Sequence, residues 1–426
     1  MDLFLLVVTF AATLALGAPV AVCLGLSSLA YILAAGLPVV IIPQRMYAGM
    51  DVFVLLCIPG FILAGNLMNF GGVTERIIRF ANALVGWMRG GLAMANVADS
   101  MMFGGISGTA VADVAATGSV MIPGMKKSGY PADFSAAITA ASSTVGPMIP
   151  PSVPMIIVGA LSGMSVGQLF LAGAVPGVLM GIGMGITCYV LAVRRNYPRQ
   201  PWQGVSELIA SFFSAFWALA MIGLIIGGLM SGIATPTETA IVACIYAFIV
   251  GAFVYRELPI RAVPKIIVNS AVSSAGILAL VGFANVFGSI LASERIPQML
   301  VNAVLSVTDN KYLVILLVNC LLLIVGMFME TIAALIILFV PLLTLATSVG
   351  IDPLHFATFA VLNLMIGLCT PPIGVCLFVA ANIARIPLMP VIRAVLPFLI
   401  SNIIVLLLVS YYPPFATWLP TTLMGN

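Results

Sequence analysis

Two carboxylates, Asp113 and Glu330, stand in strongly apolar surroundings, each beside hydroxyls and helix-breaking residues. Around the first lie Ser107, Gly108, Thr109, Ser142, Ser143, Thr144, Gly146, Ile149, Pro150 and Pro151. Around the second lie Gly326, Thr331, Gly367, Thr370, Pro371 and Pro372. Residues 103–154 are apolar enough for a bilayer, yet they interrupt their own helices at Gly104, Gly105 and Gly108, at Gly124 to Pro131, and at Gly146 to Pro151. Hydrocarbon offers no water to an orphan N–H or C=O, so broken backbone at that depth survives only inside protein or beside a cavity. An ionised carboxylate left unpaired there costs of order ~2.5 kcal/mol or more. It therefore calls for a cation, and freed carbonyls with Ser and Thr hydroxyls are hard oxygen ligands that suit Na+. The sequence predicts one Na+ near Ser107, Asp113, Gly146 and Pro150, and a second near Gly326, Glu330, Gly367 and Thr370. The competing reading of either carboxylate is a protonated or hydrogen-bonded structural group. Asp99 is a weaker candidate, and Thr237-Glu238 reads as a helix cap at the outer surface.

Each interrupted region brings two helix starts toward the midplane. One follows Ser107-Gly108 or Gly326; the other is a half-helix resuming at Pro150-Pro151 or Pro371-Pro372, where proline suits a first turn. A helix N-terminus presents free N–H donors and about half a positive charge. Four such starts form a receptor for a carboxylate without any buried basic side chain. No Lys or Arg falls in 90–125 or 312–384. The substrate-touching set expected from this arrangement is Ser107, Gly108, Thr109, Ser143, Pro150, Pro151, Gly326, Thr331, Thr370 and Pro371.

Positioning these residues is the task of an all-α integral membrane chain. Of 426 residues, 62% are hydrophobic and 7% charged, which excludes a soluble domain. Runs of about 17 to 28 apolar residues recur along the whole chain, each long enough to span a bilayer. The first, with Asp2 and no basic residue before it, reads as a retained span. Residues 3–36 would make a helix about 50 Å long, too long for one span, so Gly17-Ala18-Pro19 divides them into two.

The chain divides into 1–195 and 196–426 at the polar joint RRNYPRQPWQG. The first half holds scaffold spans in 1–70, an interfacial helix at 73–89, a hairpin at 90–125, a broken span at 133–161 and a span at 166–193. The second half holds scaffold spans in 207–292 (the last from about 271), an interfacial helix at 294–308, a hairpin at 311–347, a broken span at 354–384 and a span at 388–412. Ser293-Glu294-Arg295-Ile296 echoes Thr74-Glu75-Arg76-Ile77, and the Pro371-Pro372 break echoes Pro150-Pro151, which points to an internal duplication. Basic residues favour the cytoplasm. Arg76, Arg79, Arg89, Lys126, Lys127, Arg194, Arg195 and Arg199 place the base of the first hairpin inside, while Asp309, Lys311 and Asp352 place the second outside. Inverted repeats carrying re-entrant hairpins are a transporter architecture.

An intramembrane enzyme fits poorly: the one histidine, His355, lies near a span end, and no Ser-His or paired intramembrane aspartate motif appears. The seven cysteines show no metal-ligand spacing. A net charge of +3 is too modest for a nucleic-acid surface, and lipid is the expected surrounding.

The segments FGGISGTAVADVAATGSVMIPGM, ITAASSTVGPMIPPSVPM, TPTETA and NLMIGLCTPPIGVCLFV resemble the large membrane subunit of tripartite ATP-independent periplasmic (TRAP) transporters. The similarity runs nearly end to end. It implies a multi-pass protein of the bacterial inner membrane that imports an organic acid, typically a carboxylate or sialic acid, on a sodium gradient. It also implies two partners, a small four-helix membrane subunit and a periplasmic binding protein, and an elevator-type movement of the hairpins against a scaffold. Carried over, the sodium ligands fall at Ser107 to Thr109, Asp113, Gly146 to Pro150, Glu330 and Gly367 to Pro371. Glu330 stands where the family also often has aspartate. A self-sufficient anion transporter without partners is the alternative.

Overall fold

The computed structural model describes residues 2–424, apart from the side chains of 2 and 105–107, and every regular element among them is helical. Among the described residues eight helices are long and apolar enough to cross a membrane, with a ninth span if the pair bent by 41° at Met148–Val153 is counted as one.

The first half runs α1 (Asp2–Ala15), α2 (Val20–Ala34), α3 (Ile41–Met50), α4 (Cys57–Phe70), α5 (Val73–Val85), α6 (Gly91–Ser107), α7 (Ala110–Lys127), α8 (Ala132–Ser142), α9 (Val153–Ser162) and α10 (Val166–Arg194). The expected break at Gly17-Ala18-Pro19 separates α1 from α2. The amphipathic α5 buries Ile77 and Ala81 and leaves Arg79 exposed. The second half runs α11 (Gly204–Met230), α12 (Pro236–Ile249), α13 (Val263–Ser293), α14 (Ile296–Leu305), α15 (Lys311–Phe328), α16 (Thr331–Ser348), α17 (Pro353–Gly367), α18 (Val375–Ala384), α19 (Leu388–Tyr411) and α20 (Pro414–Met424). Thr235 and Glu238 form a capping box at the start of α12, the structural role read from the sequence. The last scaffold helix begins at Val263, well before residue 271, with Lys265 exposed on its first turn. A long lysine stem keeps its charge in water while the helix continues. The short α20 has no counterpart in the sequence reading; it packs on α10 and α17.

α14 to α19 repeat the order of α5 to α10, each starting 220–223 residues later, as with Gly91 and Lys311 or Ala132 and Pro353. Both Pro-Pro bonds, Pro150-Pro151 and Pro371-Pro372, are cis. The tetrapeptide echo is out of register with this order. Arg76 lies inside α5, whereas Arg295 is the left-handed residue (φ 56°) just before α14, the place Gly72 (φ 78°) holds before α5. The two halves also interlock crosswise, with α9 on α16 and α18 on α7 and α8.

Basic residues gather at one end. Lys126 Nζ donates to the Ala384 carbonyl, Tyr130 Oη to Pro198, and Arg79 pairs with Glu207 at 2.7 Å. Arg76 donates to the Gly72 carbonyl at the α4–α5 joint, pairs with Glu257 at 2.7 Å and sits 4.0 Å from the centre of the Tyr255 ring. Because Glu257 is partly exposed, solvent screens the pair. Replacing Arg76 with glutamine is expected to lower stability by about 1 kcal/mol, seen as a lower melting temperature of the detergent-solubilised protein.

Candidate functional site

At the first tip, α6 continues through Gly104 and Gly105 to Ser107, and left-handed Gly108 (φ 68°) with extended Thr109 separates it from α7. The glycine at 104 serves close approach. A Cβ there would run into the backbone of Gly146, in the interrupted segment after α8. The helix α7 likewise passes through Gly124 and ends at Lys127.

Beneath this tip, Asp99 on α6 and Asp113 on α7 are fully buried and share one hydroxyl. Thr117 Oγ1 lies 2.9 Å from Asp99 Oδ2 and 3.1 Å from Asp113 Oδ1. Asp99 Oδ1 and Asp113 Oδ2 have no hydrogen-bond partner among the described residues. One hydroxyl carries one hydrogen, so it cannot serve two carboxylates at once. Two buried like charges at this range need a proton or a cation between them. Around them Ser100 bonds Ser142 (3.0 Å), while Ser143 and Thr144 hydroxyls donate back to the α8 carbonyls of Thr139 (2.8 Å) and Ala141 (2.7 Å), keeping oxygen lone pairs. An all-oxygen donor set with orphaned carboxylate oxygens fits Na+. The Ser107 hydroxyl lies outside the described residues.

The break after α8 holds one 3-10 turn, Gly146–Met148, then extended Ile149. Pro150 and Pro151 fall in the loop, and α9 begins later, at Val153, with the Ser152 hydroxyl accepting from Met155 N (3.3 Å). The proline in its first turn is Pro154. Pro371 and Pro372 likewise precede α18, which opens at Val375 after left-handed Gly374.

At the second tip, Gly326 packs on Gly367 as Gly104 does on Gly146. Glu330 caps α16: its Oε2 accepts from Ile332 N (2.9 Å) and Ala333 N (3.3 Å). This is the hydrogen-bonded structural role weighed against a ligand role, and a capping carboxylate leaves the N–H groups of that start occupied. The Thr370 hydroxyl donates to Ile366 within its own helix end (2.7 Å), and Thr331, fully buried, donates to Leu364.

A cavity of about 400 Å³ lies between the tips and α13, lined among others by Thr109, Ala110 and Val111 at the start of α7, Val375 at the start of α18, Glu330, and Ser273 of α13. Glu330 and Ser152 cap α16 and α9, whereas α7 and α18 open without a side-chain cap hydrogen bond. Of the four expected helix starts, α7 and α18 therefore lack a side-chain cap, and in α18 the Cys376 N–H already donates to the Leu368 carbonyl (3.0 Å). Among the residues expected to touch substrate, Thr109 lines this cavity; Ser143 and Thr331 are buried behind it. Gly108, Pro150, Pro151, Gly326, Thr370 and Pro371 do not line it. Two further cavities, of about 220 and 790 Å³, share lining residues with the first and with each other (Thr109 and Ser273, then Asn66, Asn69 and Ala112) and open near Gly72 and Glu75 at the basic end. The shared lining makes a passage from the tips to the end where Arg76 and Arg79 lie.

The sequence reading gave Asp99 little weight and missed Thr117, Asn66, Asn69 and Ser273. The i, i+4 spacing of Asp113 and Thr117 puts them on one helix face and is the one signal available.

The family model described as "Tripartite ATP-independent periplasmic transporter, DctM component" matches residues 7–415. The chain belongs to this family. It is 42% identical over 382 residues to the sialic acid TRAP transporter large permease protein SiaM of Vibrio cholerae, covering 90% of each chain. It is 38% identical over 445 residues to the C4-dicarboxylate TRAP transporter large permease protein DctM of Vibrio cholerae, covering 99% of this chain and 98% of the relative. The isethionate TRAP transporter permease protein DctMQ of Oleidesulfovibrio alaskensis is 40% identical and matches 95% of this chain and 64% of its own length. Among solved structures, the Alcanivorax borkumensis YdaH transporter has a similar fold, with a TM-score of 0.66, 16% identity, and coverage of 89% and 88% of the two chains. The chain is a TRAP large permease, a multi-pass inner-membrane transport subunit and not an enzyme.

Proposed function

We propose that this permease imports an organic anion of the carboxylate or sialic acid class in symport with Na+. A periplasmic binding protein delivers the substrate, and a small four-helix membrane subunit completes the complex. The observation that carries the reading is the tip cavity. Two open helix starts, α7 and α18, face it, no Lys or Arg is among its lining residues, and the orphaned oxygens of Asp99 and Asp113 lie beneath the same tip. The substrate carboxylate is held by helix-start N–H groups, and Na+ by the carboxylate pair with carbonyls of the Ser143 to Ile149 break. At the second tip Gly326, Glu330, Gly367 and Thr370 supply oxygens for a second Na+, with Glu330 keeping its cap role.

The repeated helix order and the opposite charge at the two hairpin bases support inverted repeats, 1–195 and 196–426. Left-handed Gly72 and Arg295 join scaffold helices α4 and α13 to α5 and α14, and hinges there suit an elevator-type slide of both hairpins. If helix starts and not basic side chains read the carboxylate, Arg45→Gln, Arg256→Gln and Arg385→Gln should each keep the apparent KM for substrate within about twofold, measured in proteoliposomes with both partners. One of these variants losing substrate recognition while assembling normally would point to a different site.

A further inference from the structure

The passage from the tips to the basic end has two unlike walls. On one side α7 presents the small side chains Ala112, Ala116 and Ser119; on the other the scaffold presents Asn66, Asn69 and Ser273. The two amides are held in place from behind. Asn66 Nδ2 donates to Ser270 Oγ (2.8 Å), and Asn69 Oδ1 accepts from Thr74 Oγ1 (2.8 Å). These bonds leave the Asn66 carbonyl, the Asn69 amide N–H groups and the Ser273 hydroxyl for whatever occupies the passage. Ser273 lines both the tip cavity and the next one, opposite Thr109. The charged residues lining the three cavities are all acidic: Glu330 at the tip, Glu75 and Glu257 at the mouth.

We propose that Asn66, Asn69 and Ser273 form a scaffold subsite for the neutral, hydroxylated or amide-bearing tail of a monocarboxylate. The inference rests on the reading that helix starts hold the carboxylate. Two open helix starts carry together about one unit of positive charge, enough for one carboxylate. A second carboxylate further along would face the Asn66 carbonyl and Glu75, with no Lys or Arg among the described lining residues and the nearby Arg76 already paired to Glu257. Hydroxyl and amide groups donate and accept, as this wall does. An apolar tail would leave the wall unpaired, and a site built to hydrogen-bond its substrate rejects an analogue that cannot answer.

The test uses the full-length chain co-purified with its small membrane subunit, in Na+, with three acids of equal chain length: D-gluconate, hexanoate and adipate. Binding is read from ligand-dependent thermal stabilisation. Gluconate should bind at least ~tenfold tighter than either other acid. Ser273→Ala and Asn69→Ala should each weaken gluconate roughly three- to tenfold and leave hexanoate unchanged, while Ser273→Thr, which keeps the hydroxyl, retains the preference. Adipate or hexanoate matching gluconate would overturn the subsite and leave the carboxylate reading standing. So would alanine variants that weaken hexanoate as much as gluconate. Stabilisation by none of the three would remove the carboxylate reading and the subsite together.

Discussion

Asp113→Asn is expected to raise the Na+ concentration for half-maximal uptake by roughly ten- to a hundredfold, the range set by losing one charged partner at a buried site. Asp99→Asn should do the same. The two carboxylates share Thr117 Oγ1 and each has one buried orphan oxygen, so they act as one unit. The double variant should therefore fall well short of the product of the single effects, since residues in one network do not add. Glu330→Gln gives the contrast. An amide oxygen can still accept from Ile332 N and Ala333 N, so the cap survives and the change in Na+ dependence should be smaller than for Asp113→Asn. Uptake kinetics over a Na+ series in proteoliposomes distinguish these cases. Sodium dependence unchanged in both aspartate variants would remove the pair from the ion site.

Gly104→Ala and Gly146→Ala should each destabilise the protein by forcing backbone against backbone. A Cβ on either residue would fall on the backbone of the other, which cannot rotate away as a side chain can. Overpacking of this kind costs about 1–3 kcal/mol when the surroundings yield, and more when they do not. Both variants should melt at a lower temperature and lose Na+-dependent uptake. Gly276→Ala serves as the control: its Cβ would meet nothing within 4 Å, and it should melt like the parent chain.

Much of the fold was legible in the sequence, because breaks in apolar helices carry their own marks. Gly17-Ala18-Pro19 separates α1 from α2, Gly108 turns the first hairpin, and Thr235 with Glu238 caps α12, all where composition puts them. Less legible was what a break is for. Gly104 looked like a helix breaker and proved to be a contact, since a glycine that stops a helix and one that admits a neighbour are the same letter. The Asp99–Thr117–Asp113 cluster depends on how α6 and α7 lie against each other across the hairpin, and no single-chain periodicity encodes that. Glu330 reads from the sequence either as a ligand or as a hydrogen-bonded structural carboxyl, and sequence alone does not separate the two. The backbone N–H groups two and three residues on are its nearest partners, and a short-range cap competes with any ion for the same oxygens. The tetrapeptide echo failed for a plainer reason: short matches between membrane segments slide easily by a turn, and the left-handed residues Gly72 and Arg295 fix the true register.

The central claim is that sodium moving into the Asp99–Asp113 site drives anion uptake. It is tested most directly by loading proteoliposomes with the complete complex and imposing one gradient at a time. An inward Na+ gradient alone should accumulate the radiolabelled acid above its external concentration in the parent chain and not in Asp113→Asn. Equal accumulation on a proton gradient without Na+, or undiminished Na+-driven accumulation by the variant, would contradict it.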